Sequence, residues 1–166
     1  MEILKEIALP VLLSTISAYL ATKAAFRKYK NEKRWDDKRE KYAAVIESVE
    51  YIEAWYNSLH YSLGIGSRFN NFSNDTSELD RSTRIVQKYA TIGKLYFSQE
   101  FSKILTVLYK DLERLTNEYG EAVEFADGDR QSEFSAQIEY YSSIEKHSNK
   151  ALKSMLKIAE IDLIKK

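Results

Sequence analysis

The 166-residue chain has no cysteine, one proline, five glycines and two histidines. Without cysteine there are no disulfides, thiolate metal sites or thiol nucleophiles, and the lack of disulfides suits a reducing compartment. The scarcity of glycine and proline removes collagen-like and low-complexity readings. With 44% hydrophobic and 30% charged residues, disorder is excluded as well. His60 and His147 stand 87 positions apart, too few and too far separated in sequence for histidine-based metal sites or triads. There is no glycine-rich phosphate loop and no helical His-Glu-x-x-His pattern. Excess charge is missing too: 25 basic and 25 acidic residues sum to zero, unlike a general nucleic-acid binder. These absences argue against an enzyme and assign no catalytic, cofactor or metal-binding residues.

What is present is unevenly placed. Between Glu6 and Lys23 lie sixteen uncharged residues, Ile7 to Thr22. As a helix they rise about 24 Å, and continuing through Phe26 with Lys23 snorkelling gives about 30 Å, a hydrocarbon thickness. Ile7, Leu9, Val11, Leu12, Leu13, Ile16 and Leu20 favour insertion, opposed by Pro10, four Ser/Thr residues and Lys23. A signal peptide would put its positive charge before the apolar run, whereas here it follows; a buried core helix or an interfacial helix are further alternatives. The leading expectation is a single transmembrane helix over 1–26.

Pro10, Ser14, Ser17 with Ala18, Ala21 and Ala25 recur at helical spacing. Such a small-residue stripe allows close helix association or lines a wet pore. Beyond it, Arg27, Lys28, Lys30, Lys33 and Arg34, with Lys23 and Trp35, form a juxtamembrane anchor, and residues 27–41 carry a net +4. Positive charge on this flank places the N-terminus outside the bacterial inner membrane and the remainder in the cytoplasm.

No glycine or proline interrupts the chain from Phe26 to Leu63, so one long helix is expected. Val45, Val49, Ile52, Tyr56, Leu59 and Leu63 step by 4, 3, 4, 3 and 4. This heptad seam must bury against another helix, of this chain or of a second copy. A loop follows at Gly64, Gly66 and Asn70–Asp75, with Phe69 and Phe72 as anchors. Asp75 and Glu78 resemble a capping pair for a second helix whose apolar face (Leu79, Ile85, Val86, Tyr89, Ile92) ends at Gly93. Ser98 is the expected N-cap of a third, ending near Ala126-Asp127-Gly128, and the last runs from about Ser132. Asp127-Gly128-Asp129 lacks calcium-loop spacing and reads as a turn. From Asp111 to Glu133 the charge is −6, which repels phosphate. Tyr51, Tyr56, Tyr140 and Tyr141 suit bundle edges or subunit interfaces. The expected fold is all-α: a transmembrane helix (1–26), a basic juxtamembrane helix (27–41) and a four-helix bundle (42–166).

Three stretches carry a resemblance: the Pro10-containing span, the junction from Glu32-Lys33-Arg34-Trp35 through Tyr42-Ala43-Ala44-Val45-Ile46-Glu47, and the closing Ile158-Ala159-Glu160-Ile161-Asp162-Leu163. The chain resembles the small, membrane-anchored, HEPN-related accessory proteins of type VI CRISPR systems. The resemblance implies a HEPN-like bundle and a homo-oligomeric ring of about six or more protomers that permeabilises or depolarises the membrane, beside an RNA-guided ribonuclease. HEPN ribonucleases place an arginine five to seven residues before a histidine. Before His147 those positions are Tyr140, Tyr141 and Ser142; before His60 they are Glu53, Ala54 and Trp55. RNA cleavage is therefore not expected, and His147 is a degenerate candidate for the HEPN histidine. The sequence supports three readings: a pore-forming antiviral-defence effector with no direct nucleic-acid contact; a membrane tether for a cytoplasmic partner; and a degenerate HEPN RNA-binding domain.

Overall fold

The computed structural model describes residues 2–65 and 76–164, with side chains over 17–63 and 76–164. Four helices follow in order: α1 (Glu2–Ile65), α2 (Ser77–Ile92), α3 (Gln99–Ala126) and α4 (Arg130–Ile164); a 3-10 turn, Gly93–Leu95, joins α2 to α3. No strand occurs among the described residues. Pro10 and Ser14 lie outside the described side chains, as does Gly64, and the rest of the loop through Asp75 lies outside the described residues altogether. Among the described residues no helix is long and apolar enough to cross a membrane.

The chain divides into two compact units, Met1–Arg39 and Glu40–Lys166. The second is the bundle. Its core is built from Tyr42, Val45, Val49 and Ile52 of α1, Val86 of α2, Phe101, Leu105, Leu108 and Leu115 of α3, and Ile144, Ala151, Met155 and Ala159 of α4, with Phe97 ahead of α3. Helices α1, α3 and α4 each supply residues three, four or seven apart, the spacing that puts them on one face. Direction alternates from helix to helix. Thr106 of α3 bonds the Ala90 carbonyl of α2 and Gln87 reaches Tyr109; on α3 and α4, Asp111 meets His147 and Thr116 meets Tyr140. Tyr42 of α1 meets Asp162 of α4, and Tyr56 meets Tyr140.

The helix ends follow local chemistry. Ser98 caps α3 as expected, its Oγ accepting from the Phe101 amide at 3.3 Å. Asp127 (φ 43°) and Gly128 (φ 82°) turn the chain in the left-handed region. Asp129 then caps α4 by accepting the Gln131 and Ser132 amides, so this helix starts at Arg130, ahead of the expected Ser132. Those bonds hold the Asp129 carboxyl below its ordinary pKa, the Ser132 side chain contributing most. At the start of α2, Thr76 occupies the cap position without a side-chain bond, and Glu78 pairs with Arg81 at 3.5 Å. Gly93 ends α2 as expected, for a different reason than a left-handed turn: its φ is −58°, and a Cβ there would stand 3.0 Å from the Phe97 ring. A Cβ there would require the Phe97 ring to give way by a few tenths of an ångström where it closes over the end of the helix.

Candidate functional site

In the first unit every side chain from Ser17 to Arg34 is exposed. That includes Ser17, Ala18, Ala21 and Ala25 of the stripe, and Lys23, Arg27, Lys28, Lys30, Lys33 and Arg34 of the anchor; Trp35 is half-buried. At about 100° per residue, Ser17, Ala21 and Ala25 share one side of the helix and Tyr19 and Phe26 the opposite one. Phe26 is 66% exposed, and Leu20 and Tyr29 are comparably open. Thr22 bonds its own helix, donating to the Ala18 carbonyl at 2.8 Å, which satisfies its hydroxyl without an outside partner. The Lys23 ammonium lies 5.9 Å from the Tyr19 ring centre, and the Arg39 guanidinium 5.7 Å from the Trp35 ring. Lys28 pairs with Glu32 at 3.9 Å; at such exposure the pair contributes little.

The heptad seam lies inside the chain's own bundle. Val45, Val49 and Ile52 are buried, and Tyr56, Leu59 and Leu63 half-buried. The sequence left open whether a second copy would cover this seam; helices of the same chain do, so its core positions cannot also join protomers.

Tyr42 was part of the junction motif but had no assigned role. Its ring packs on Phe97 and Phe101, with centres 4.7 and 4.6 Å away. Its hydroxyl donates to Asp162 Oδ2 at 2.7 Å and accepts the Ser98 amide at 3.2 Å. Burial, aided by the Asp162 bond, pushes the phenol up to about 12. Two of the three stretches behind the family resemblance therefore meet at one hydroxyl. A second tyrosine cluster sits farther along: Tyr119 and Tyr140 stack with centres 4.6 Å apart, and Tyr140 bonds Thr116 and Tyr56. Burial raises the Tyr56 pKa, and the Tyr140 bond adds to it.

Each histidine bridges two helices through a carboxylate. His60 Nδ1 on α1 lies 3.0 Å from Glu145 on α4, and His147 Nδ1 lies 3.0 Å from Asp111 on α3. His147 also borders a groove of about 330 Å³ between α3 and α4, lined by Arg114, Glu118, Tyr119, Glu139, Tyr140 and Ser143 among others. Arg114 is held there by Glu118 at 2.8 Å and approached by Asp111 at 3.8 Å. With Glu118 and Glu139 lining it beside one arginine, and Asp111 close to that arginine, the groove has an acidic character that disfavours a phosphodiester. Among the described residues no group of three His, Asp or Glu side chains converges as a metal site. Sequence reasoning missed Asp111 as the partner of His147 and Arg114 and Glu118 as its neighbours along the groove; their i, i+3, i+7 spacing was a usable sign that they share a face.

Compared with known proteins, the chain matches no family, no curated protein and no solved structure.

Proposed function

We propose that this chain is a single-span protein of the bacterial inner membrane whose N-terminal helices associate into a ring and permeabilise the membrane, as an antiviral-defence effector without enzymatic activity. The observation that carries this reading is the exposure of the whole helix face pair from Ser17 to Arg34. Its bulky side suits lipid, its small side suits close packing with copies, and its basic end suits anionic headgroups. The bundle has its own complete core, so assembly falls to the first unit. The functional link to an RNA-guided ribonuclease rests on the sequence resemblance alone, and the acidic groove beside His147 fits a role without direct nucleic-acid contact.

The test is dye release from vesicles reconstituted with full-length protein. Release from the wild type, lost on Ser14→Leu with Ser17→Leu, is the expected result; unchanged release abandons a pore lined or sealed by this stripe. In mild detergent the 19.3 kDa protomer should run as a discrete ring of about six or more copies. A tether is the second reading, favoured by the seam's burial within one chain. Under it, replacing residues 1–26 by an unrelated span preserves function.

A further inference from the structure

Between the Tyr42–Asp162 bond and the Asn149–Glu53 bond, α1 runs alongside α4. Between Ser98, whose amide reaches Tyr42, and the Asp111–His147 bond, α3 does the same. These bonds define one level of the bundle, and its outer faces there are sorted by charge. On α1 the exposed positions from 40 to 50 are Glu40, Ala43, Glu47 and Glu50. The one basic residue of that stretch, Lys41, is half-buried over the Tyr96 ring at 4.8 Å. On α4 the exposed positions from 146 to 157 are Lys146, Lys150, Lys153, Leu156 and Lys157, with no acid between the first and the last. Helix α3 adds Lys103, Val107 and Lys110, and α2, joined to α3 by the Thr106 bond to Ala90, exposes Lys88. Acids border the α3–α4 side. Asp111, Glu145 and Asp162 are held by His147, His60 and Tyr42, and the exposed Glu100 and Glu160 sit toward the Tyr42 end; the six lysines of α3 and α4 outnumber all five. Among the described residues, none of the three α1 glutamates or these six lysines pairs within its own chain.

We propose that the α1 glutamate stripe of one copy docks on the α4 lysine stripe of a second copy, adding a contact between bundles to the one between spans. The inference rests on the single-span ring reading above and deepens it by naming the faces that meet. The two stripes select a second copy as the occupant because they match each other. They are opposite in sign, they lie at one level, and at 1.5 Å per residue each runs about 15–17 Å. Copies anchored by one span in the same membrane share an orientation, so a rotation about the membrane normal brings together faces at the same level. The stripes belong to different helices, so each docking leaves one stripe free on either copy, and such a head-to-tail contact closes into a ring when the rotation allows. Exposed charge pairs are individually weak; several in register orient the encounter and fix which faces meet. Leu156, 49% exposed among the lysines, adds apolar area. An anionic lipid surface or other polyanion would use the lysines and leave the glutamate stripe without a role.

Because the chain lacks cysteine, the contact can be trapped. Full-length Glu47→Cys and Lys153→Cys proteins, one of them size-tagged, are co-expressed, extracted in mild detergent and oxidised. The expected result is a disulfide-linked mixed dimer in excess of either like pair. Separately, Glu47→Lys with Glu50→Lys, or Lys150→Glu with Lys153→Glu, should raise the protein concentration at which the ring half-dissociates by about tenfold. All four changes together restore opposite signs and should bring that concentration back toward wild type, which separates a lost contact from a lost fold. Wild-type assembly by both reversed proteins, no recovery in the fourfold variant, or a predominance of like pairs each overturns the docking, the last assigning a two-fold contact. An intact ring of Lys150→Glu with Lys153→Glu that no longer binds phosphatidylglycerol vesicles also overturns it and assigns the lysines to lipid. The two levels of the argument fail differently: a monomeric wild type sinks the ring reading itself, while a ring without mixed dimers sinks this contact and leaves the ring.

Discussion

The hydroxyl of Tyr42 joins residues 120 positions apart, donating to Asp162 at 2.7 Å while it receives the Ser98 amide. One side chain thus ties the start of the bundle, the N-cap of α3 and the last turns of α4. Tyr42→Phe keeps the ring and removes both bonds, which should destabilise the protein by about 1–3 kcal/mol in urea unfolding. The pH dependence has a defined sign. The folded pKa near 12 exceeds the ordinary 10.0, so the fold favours the neutral phenol; its contribution is complete below about pH 10 and is lost as pH rises through 12. The stability gap between wild type and Tyr42→Phe should therefore hold up to about pH 10 and narrow from there towards pH 12. A constant gap refutes this account.

Two glycines should respond oppositely to the same change. Gly93→Ala forces a methyl within 3.0 Å of Phe97 and should cost about 1–3 kcal/mol. Gly120→Ala, inside α3 with nothing within 4 Å, should raise stability by about 0.5–1 kcal/mol by lowering the entropy of the unfolded chain. Urea midpoints of the two variants provide the comparison.

His147→Ala removes the bond to Asp111 at the rim of the groove. Both side chains are about one-third exposed, so a loss of no more than about 1 kcal/mol is expected. An RNA substrate should remain intact with either protein. Cleavage by the wild type that disappears in His147→Ala would establish a nuclease and overturn the proposed function.

Leu20 is exposed on the first unit. Leu20→Asp should weaken membrane insertion by about 2–3 kcal/mol, enough to move the protein into the alkaline-soluble fraction. The urea midpoint of the bundle should stay within about 0.5 kcal/mol of wild type. A fall in both would mean that the residue supports folding instead.

Much of the architecture was legible because helices are local. The 4, 3, 4 spacing from Val45 to Leu63, the Ser98 cap, the Gly93 boundary and the turn at Asp127-Gly128 each depend on residues within a turn or two, and the helices appear there. The start of α4 was displaced because Asp129, read only as part of the turn, bonds forward to the Gln131 and Ser132 amides. The candidate sites were less legible. Asp111, Arg114, Glu118 and Glu145 looked like solvated charges, and nothing in their own neighbourhood announces a histidine on another helix.

By itself the sequence determined that the chain is helical, where most helices end, which faces are apolar, and that an uncharged run precedes a basic stretch. Each follows from backbone geometry and side-chain type within a few residues. Only the tertiary structure decided that the heptad seam is covered by this chain's own helices, that Tyr42 reaches both Asp162 and Ser98, and that each histidine meets a carboxylate on another helix. Those relations depend on which faces meet and in which direction, and competition among all four helices for the same core selects that arrangement.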